Sequence, residues 1–160
     1  MKTLIVYFSK YGTTQECVNL LLKELNGDVE SCNIDNGKIS IDSFDTIIIG
    51  SPVYIGHVNK KITKFIANNK TRLMEKKLAL FVSCLTPSYK KDFYEDLFDK
   101  DIINHAICYE SFGGKIPTNA KGFDKFVINA ISKSKDASSS FASSGIAKDR
   151  IESFAKKVIG

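Results

Sequence analysis

The sequence predicts an open, doubly wound α/β fold built on a parallel sheet, and three observations point to it. Five short apolar runs alternate with stretches of helical apolar spacing, the pattern of strands joined by helical crossovers. Three of the runs, Leu4–Phe8, Thr46–Ile49 and Leu78–Val82, are apolar almost throughout instead of alternating, as strands covered on both faces are. Each run gives way to small polar residues or glycine, and such sheets place their ligand loops beyond the carboxyl ends of the strands. A length of 160 residues suits one domain around one core.

Leu4–Phe8 reads as a buried strand running into a hydroxyl-rich loop. Cys17, Val18, Leu21, Leu22 and Leu25 give Thr14–Leu25 a helical face, with Gly27 as its stop. Val29–Ile34 is half-polar, as an edge strand is, and the polar stretch 35–45 carries the turn pair Asn36-Gly37. Thr46–Ile49 is the next buried strand, closed by Gly50. Val58, Ile62, Phe65 and Ile66 mark a second helix that starts near Val58 and reaches Leu73. Leu78–Val82 follows as a strand, and Ser88 can cap a third helix bearing Phe93, Leu97 and Phe98. Ala106–Phe112 reads as the fifth strand, with His105 at its start as a structural residue. Phe123, Phe126, Val127, Ala130 and Ile131 suggest a short helix, and the serine-rich Ser138–Ser144 a loop. A last helix carries Ala147, Ile151, Phe154, Ala155 and Val158.

Composition narrows the class. Apolar residues make up 43% and charged residues 26%, which is globular. The apolar runs are too short to cross a bilayer. No secretory cleavage pattern follows Met1-Lys2-Thr3, so a cytoplasmic protein is expected. Cys17, Cys32, Cys84 and Cys108 form no CxxC pair, and only His57 and His105 accompany them. No metal site is expected from such spacing, and the thiols read as small buried hydrophobes. The net charge of +5 reads as a lysine-rich solvated surface, with no nucleic-acid partner expected.

The loop Ser9-Lys10-Tyr11-Gly12-Thr13-Thr14 joins the first strand to the first helix. Ser9, Thr13 and Thr14 offer hydroxyls, and Gly12 lets the backbone approach a ligand closely. The first amides of a helix lack intrahelical acceptors, and the dipole there favours an anion. Lys10 adds charge. Neither GxGxxG nor GxxxxGK[ST] is present, so the loop suits one terminal phosphate better than a pyrophosphate or a triphosphate.

Ser9, Gly12 and Thr14 match the T/S-x-T-G-x-T phosphate loop of flavodoxins, which this segment resembles. Tyr11 stands where flavodoxins usually have Thr, and a bulkier residue there is more similar to the flavodoxin-like quinone reductases. The stretches Ile49–His57, Phe65–Leu73 and Gly122–Ile128 are similar to the menaquinone-dependent protoporphyrinogen oxidases. The resemblance implies a flavodoxin-like five-stranded sheet of order 2-1-3-4-5 that binds FMN.

An isoalloxazine ring needs flat apolar contacts and backbone hydrogen bonds. Ser51, Pro52, Val53, Tyr54, Ile55 and Gly56 offer them: Pro52 stiffens the chain, Tyr54 presents an aromatic face and Gly56 admits a close peptide. His57 is a candidate to tune a flavin proton or bind substrate, and equally a candidate cap for the second helix. In flavodoxin-like proteins the loop holding Cys84, Leu85 and Thr86 meets the pyrimidine end of the ring, and Gly113 and Gly114 are placed to close the pocket. The resemblance implies an oxidoreductase passing electrons between a reduced donor and a quinone- or porphyrinogen-type substrate. Two other readings stay open: an electron carrier working with a redox partner protein, and a binding module that uses no cofactor. The segment Lys115–Lys135 holds five lysines against Asp124, which suits peripheral membrane contact. A homodimer also stays open.

Overall fold

The computed structural model describes residues 1–85, 91–115, 122 and 145–160. Thr86, Ser88, the expected helix around 123–131, the serine-rich loop and most of Lys115–Lys135 lie outside the described residues.

In chain order the elements are β1 (Lys2–Tyr7), α1 (Thr13–Glu24), β2 (Asp28–Asn33), β3 (Thr46–Tyr54), β4 (His57–Val58), α2 (Lys60–Leu73), β5 (Lys77–Ser83), α3 (Lys91–Leu97), α4 (Lys100–His105), β6 (Cys108–Ser111), β7 (Gly113–Gly114), β8 (Gly145–Ile146) and α5 (Lys148–Ile159). The main sheet runs β2-β1-β3-β5-β6 with every neighbour parallel, and β4 pairs antiparallel to β3. Setting the short β4 aside, this is the expected order 2-1-3-4-5.

The pleat explains why the central strands β1, β3 and β5 carry apolar residues on both faces. Successive side chains point to opposite faces. Leu4, Val6, Ile47, Ile49, Leu78, Leu80 and Val82 join the core that also holds Ile62, Phe65 and Ile66 of α2, Tyr94 of α3 and Ile102 of α4. Ile5, Tyr7, Ile48, Ala79 and Phe81 pack with Cys17, Val18 and Leu21 of α1 and Ile151, Phe154 and Val158 of α5. Both faces are therefore covered, as crossover connections require.

Four features differ from the sequence reading. Gly50 does not close β3, which continues to Tyr54. A side chain there would run into the ring of Phe81, so Gly50 is a packing glycine within the strand, not a turn glycine. The second helix starts at Lys60, not near Val58, because the Asn59 side chain accepts the Lys61 N–H (2.9 Å) and caps it. After α3, which matches the expected third helix, the chain forms a further helix, α4, that the apolar spacing did not indicate; the carboxylate of Asp99 accepts the Asp101 N–H (2.8 Å) and caps its start. His105 accordingly ends α4 instead of opening the fifth strand, with its Nε2 2.8 Å from the Lys76 carbonyl oxygen.

Phe81 stacks on Phe112 (centroids 4.6 Å apart) and meets Phe154 edge-on at 6.3 Å. Its ring has nowhere to retreat. Gly50→Ala is expected to cost about 1–3 kcal/mol through overpacking. Urea unfolding checks this, and wild-type stability would rule out the tight contact.

The thiols of Cys17 and Cys108 are buried, and burial pushes them up to about 12 and about 11. Both therefore stay protonated in mildly alkaline buffer and unreactive as nucleophiles. Iodoacetamide is expected to label neither in the folded protein and both in urea, as peptide mass mapping would show.

Candidate functional site

The carboxyl ends of β1, β3 and β5 finish on the same side of the sheet, where the chain order changes direction around β1 and β3. A cleft of about 640 Å³ opens there. Of the residues singled out from the sequence, Ser9, Lys10, Tyr11, Thr13, Thr14, Pro52, Val53, Tyr54, Ile55, Gly56, His57, Cys84, Leu85 and Gly114 line it.

Gly12, Ser51 and Gly113 do not line the cleft but shape it. Gly12 takes a left-handed φ of 92° and turns the chain into α1. Ser51 is fully buried, and its Oγ donates to the Pro52 carbonyl (2.9 Å) and accepts the Asn59 N–H (3.0 Å). It ties the end of β3 to the start of α2. Gly113, with φ 76°, presents its carbonyl to the Cys84 N–H at 2.8 Å. Gly114 then passes so close that a side chain would sit 3.1 Å from the Cys84 carbonyl carbon.

The first loop forms one end of the cleft. Ser9 Oγ accepts the N–H of Gln15, in the first turn of α1, at 3.2 Å, while the Tyr7 hydroxyl donates to Gln15 Oε1. The amides at Thr13 and Thr14 begin the helix and have no acceptor within it. Thr14 is almost wholly buried, and its Oγ1 lies 2.8 Å from Ser83 Oγ, where either hydroxyl can donate. If Ser83 donates, the Thr14 proton is left for the cleft.

The other end is built from β3 and its return. Tyr54 pairs with His57 across a two-residue turn, Ile55-Gly56, whose φ values are 50° and 72°. Two consecutive positive φ values mark the tight turn that suits a twisted hairpin. His57 therefore stands exposed on β4 and does not cap α2, a role taken by Asn59. Lys10 reaches across from the first loop. Its Nζ lies 5.2 Å from the Tyr11 ring centroid and 5.5 Å from that of Tyr54.

Sequence reasoning missed Phe8, Val58, Asn59, Lys60, Ser83 and Lys115, all of which line the cleft. Ser83 carried a signal, since it is the first polar residue after the apolar run of β5. Val58, Asn59 and Lys60 were hidden by the hairpin. The described lining holds three lysines and a histidine, and no Asp or Glu. Lys115 Nζ is paired with Glu16 (2.7 Å), just outside it.

The model of the flavodoxin domain family matches residues 4–141. This chain belongs to the flavodoxin domain family. An uncharacterised protein of Methanocaldococcus jannaschii is 33% identical over 125 residues, covering 71% of this chain and 79% of that one. The quinone-linked protoporphyrinogen IX dehydrogenase of Escherichia coli K12 is 30% identical over 77 residues, which is 46% of this chain and 42% of the enzyme. Among solved structures, oxidised Flavodoxin 1 from Bacillus cereus superposes with a TM-score of 0.58 at 15% identity, over 99% of this chain and 97% of that one. That likeness is one of fold.

Ile55 is β-branched, 55% exposed and left-handed in φ, a combination that costs energy. Ile55→Asn is expected to stabilise the protein by roughly 0.5–1 kcal/mol, because Asn tolerates this region. Thermal unfolding checks it, and an unchanged or lower Tm would show the turn to be unstrained.

Proposed function

We propose that this flavodoxin-domain protein binds FMN in the cleft and works as an oxidoreductase. The observation that carries the reading is the cleft's two unlike ends at the carboxyl edge of the sheet. One offers the amides of α1 with the hydroxyls of Ser9, Thr13 and Thr14; the other offers Tyr11, Tyr54 and apolar walls. The first suits a single phosphate and the second a flat ring. The cleft volume lies within the range of small-molecule and cofactor sites, about 300–1,000 Å³.

When bound, FMN supplies the electron transfer itself. The chain's part is to hold and orient it. The Ser83–Thr14 pair would aim a hydroxyl proton at the phosphate. Tyr54 and Tyr11 would flank the ring, and Pro52, Val53 and Leu85 would keep water from it. His57, at the rim, is the candidate for holding or passing a proton at the ring edge.

The partial identity with the quinone-linked dehydrogenase favours a quinone- or porphyrinogen-type substrate. The alternative, a carrier docking through an acidic patch, draws less support. Of Asp92, Glu95, Asp96, Asp99 and Asp101, the residues that could form such a patch, Asp99 and Asp101 are both bonded to Lys70 at 3.0 Å and Glu95 is paired with Lys91. Such pairing leaves less net negative charge for a basic partner. No helix among the described residues is long and apolar enough to cross a membrane.

Purified protein should take up FMN with a perturbed flavin absorbance spectrum and then be reoxidised rapidly by a quinone or oxidise a porphyrinogen. A protein that takes up no FMN would refute the cofactor, and reoxidation only by protein partners would favour the carrier. Thr14→Ala should weaken FMN binding by about 1–3 kcal/mol, and Ser83→Ala by a smaller amount. Unchanged affinity in Thr14→Ala, measured by fluorescence titration, would remove that hydroxyl from the phosphate site.

A further inference from the structure

We propose that Asn26 is a site of spontaneous modification, losing its side-chain amide to attack by the Gly27 nitrogen and leaving a mixture of aspartate and isoaspartate. The inference stands apart from the FMN reading. Asn26 lies in the turn from α1 to β2, at the edge of the sheet opposite the cleft.

The chain carries the pair Asn-Gly twice, at Asn26-Gly27 and Asn36-Gly37, and all four residues are exposed. Asparagine is chemically labile, and most so before glycine, which has no side chain to shield its nitrogen. Exposure does not separate the two pairs, so the backbone decides between them.

Asn26 belongs to no helix or strand. Leu25 before it is already extended (φ −86°, ψ 141°), and Gly27 is left-handed at φ 89°. Among the described residues nothing accepts the Gly27 N–H or holds the Asn26 side chain. Asn36 instead ends the 3-10 turn Ile34–Asn36, whose i→i+3 bonding engages the amide that follows. That turn is pinned twice: Asn33 Oδ1 accepts the Asp35 N–H (3.0 Å), and Asp35 is bonded to Lys61 of α2.

The chemistry needs only water. The Gly27 nitrogen bonds to Asn26 Cγ, the Cγ–NH2 bond breaks, and the NH2 group leaves with the amide proton as ammonia. The resulting succinimide ring is opened by water at one of its two carbonyls. Opening at Cγ gives aspartate with the main chain intact. Opening at the former main-chain carbonyl gives isoaspartate, with the chain running through the side-chain carbon. No electrons are exchanged. Either product puts a carboxylate next to the carboxyl end of α1, the helix end that disfavours negative charge, directly before the edge strand β2.

The test holds the full-length protein, folded or in urea, in warm, mildly alkaline buffer and follows both Asn-Gly peptides by mass spectrometry after proteolysis. In the folded protein Asn26 should give two products of equal mass, separable by chromatography, at least about fivefold faster than Asn36, the slowing that one hydrogen bond of ordinary net strength imposes. In urea the two rates should converge. Asn26→Gln should abolish conversion at that position and leave the rate at Asn36 unchanged. An Asn26 that stays intact in the folded protein but converts in urea would overturn the proposal, as would an Asn36 that keeps pace with it in the folded state. The same ratio persisting in urea would overturn it too, by placing the difference in the neighbouring side chains instead of the fold. Whether the protein binds FMN enters none of these outcomes.

Discussion

Parallel pairing of β3 with β1 on one side and β5 on the other sets Tyr7, Gly50 and Phe81 side by side across the sheet. This central ladder carries the cleft. Its register decides that the loops after Tyr7, Tyr54 and Ser83 emerge together, and its burial on both faces keeps them there. Gly50 is the point where the ladder admits no side chain. Phe81 fills the space, Phe112 stacks on it, and Phe154 of α5 closes against both. The chain after Phe112 is thus held over the end of β5, where Gly113 meets the Cys84 amide. Packing beneath the sheet's edge and geometry at the cleft are one system.

The cleft is polar where a helix begins and aromatic where a hairpin turns. The two ends follow from different physics. A helix start leaves amides without acceptors, so anion affinity comes with the fold. The hairpin bends the chain back sharply through Ile55 and Gly56, and its geometry sets Tyr54 and His57 opposite each other at the rim. Buried side-chain bonds brace both ends: Thr14 to Ser83 joins α1 to β5, and Ser51 to the Asn59 amide joins β3 to α2. Each has its two residues on different elements, so each fixes the spacing of one wall against another.

Much of this was legible in the chain itself. The continuous apolar runs at Leu4–Phe8 and Leu78–Val82 announced strands covered on both faces, and Ser9–Thr14 announced a helix start able to hold a phosphate. Fourteen of the residues singled out from the sequence line the cleft. The misreadings have specific causes. A glycine after an apolar run resembles a stop, and Gly50 is one only in appearance, because its partner Phe81 is 31 positions away. The short helix α4 starts on Asp99 through a local side-chain bond that periodicity does not register. The hairpin took Val58 from a helix whose apolar spacing it mimics.

The order of residues by itself determined the strand–helix alternation, the phosphate-type loop and the absence of dinucleotide and triphosphate motifs, because these depend on neighbours within a few positions. Tertiary structure alone decided which hydroxyls and charges meet. Ser83 reaches Thr14 from 69 residues away, and Lys10 comes within 5.5 Å of the Tyr54 ring centroid because two loops end at one edge of a sheet. Such contacts arise from the pairing of strands far apart in the chain, which a pattern spanning a few positions does not name.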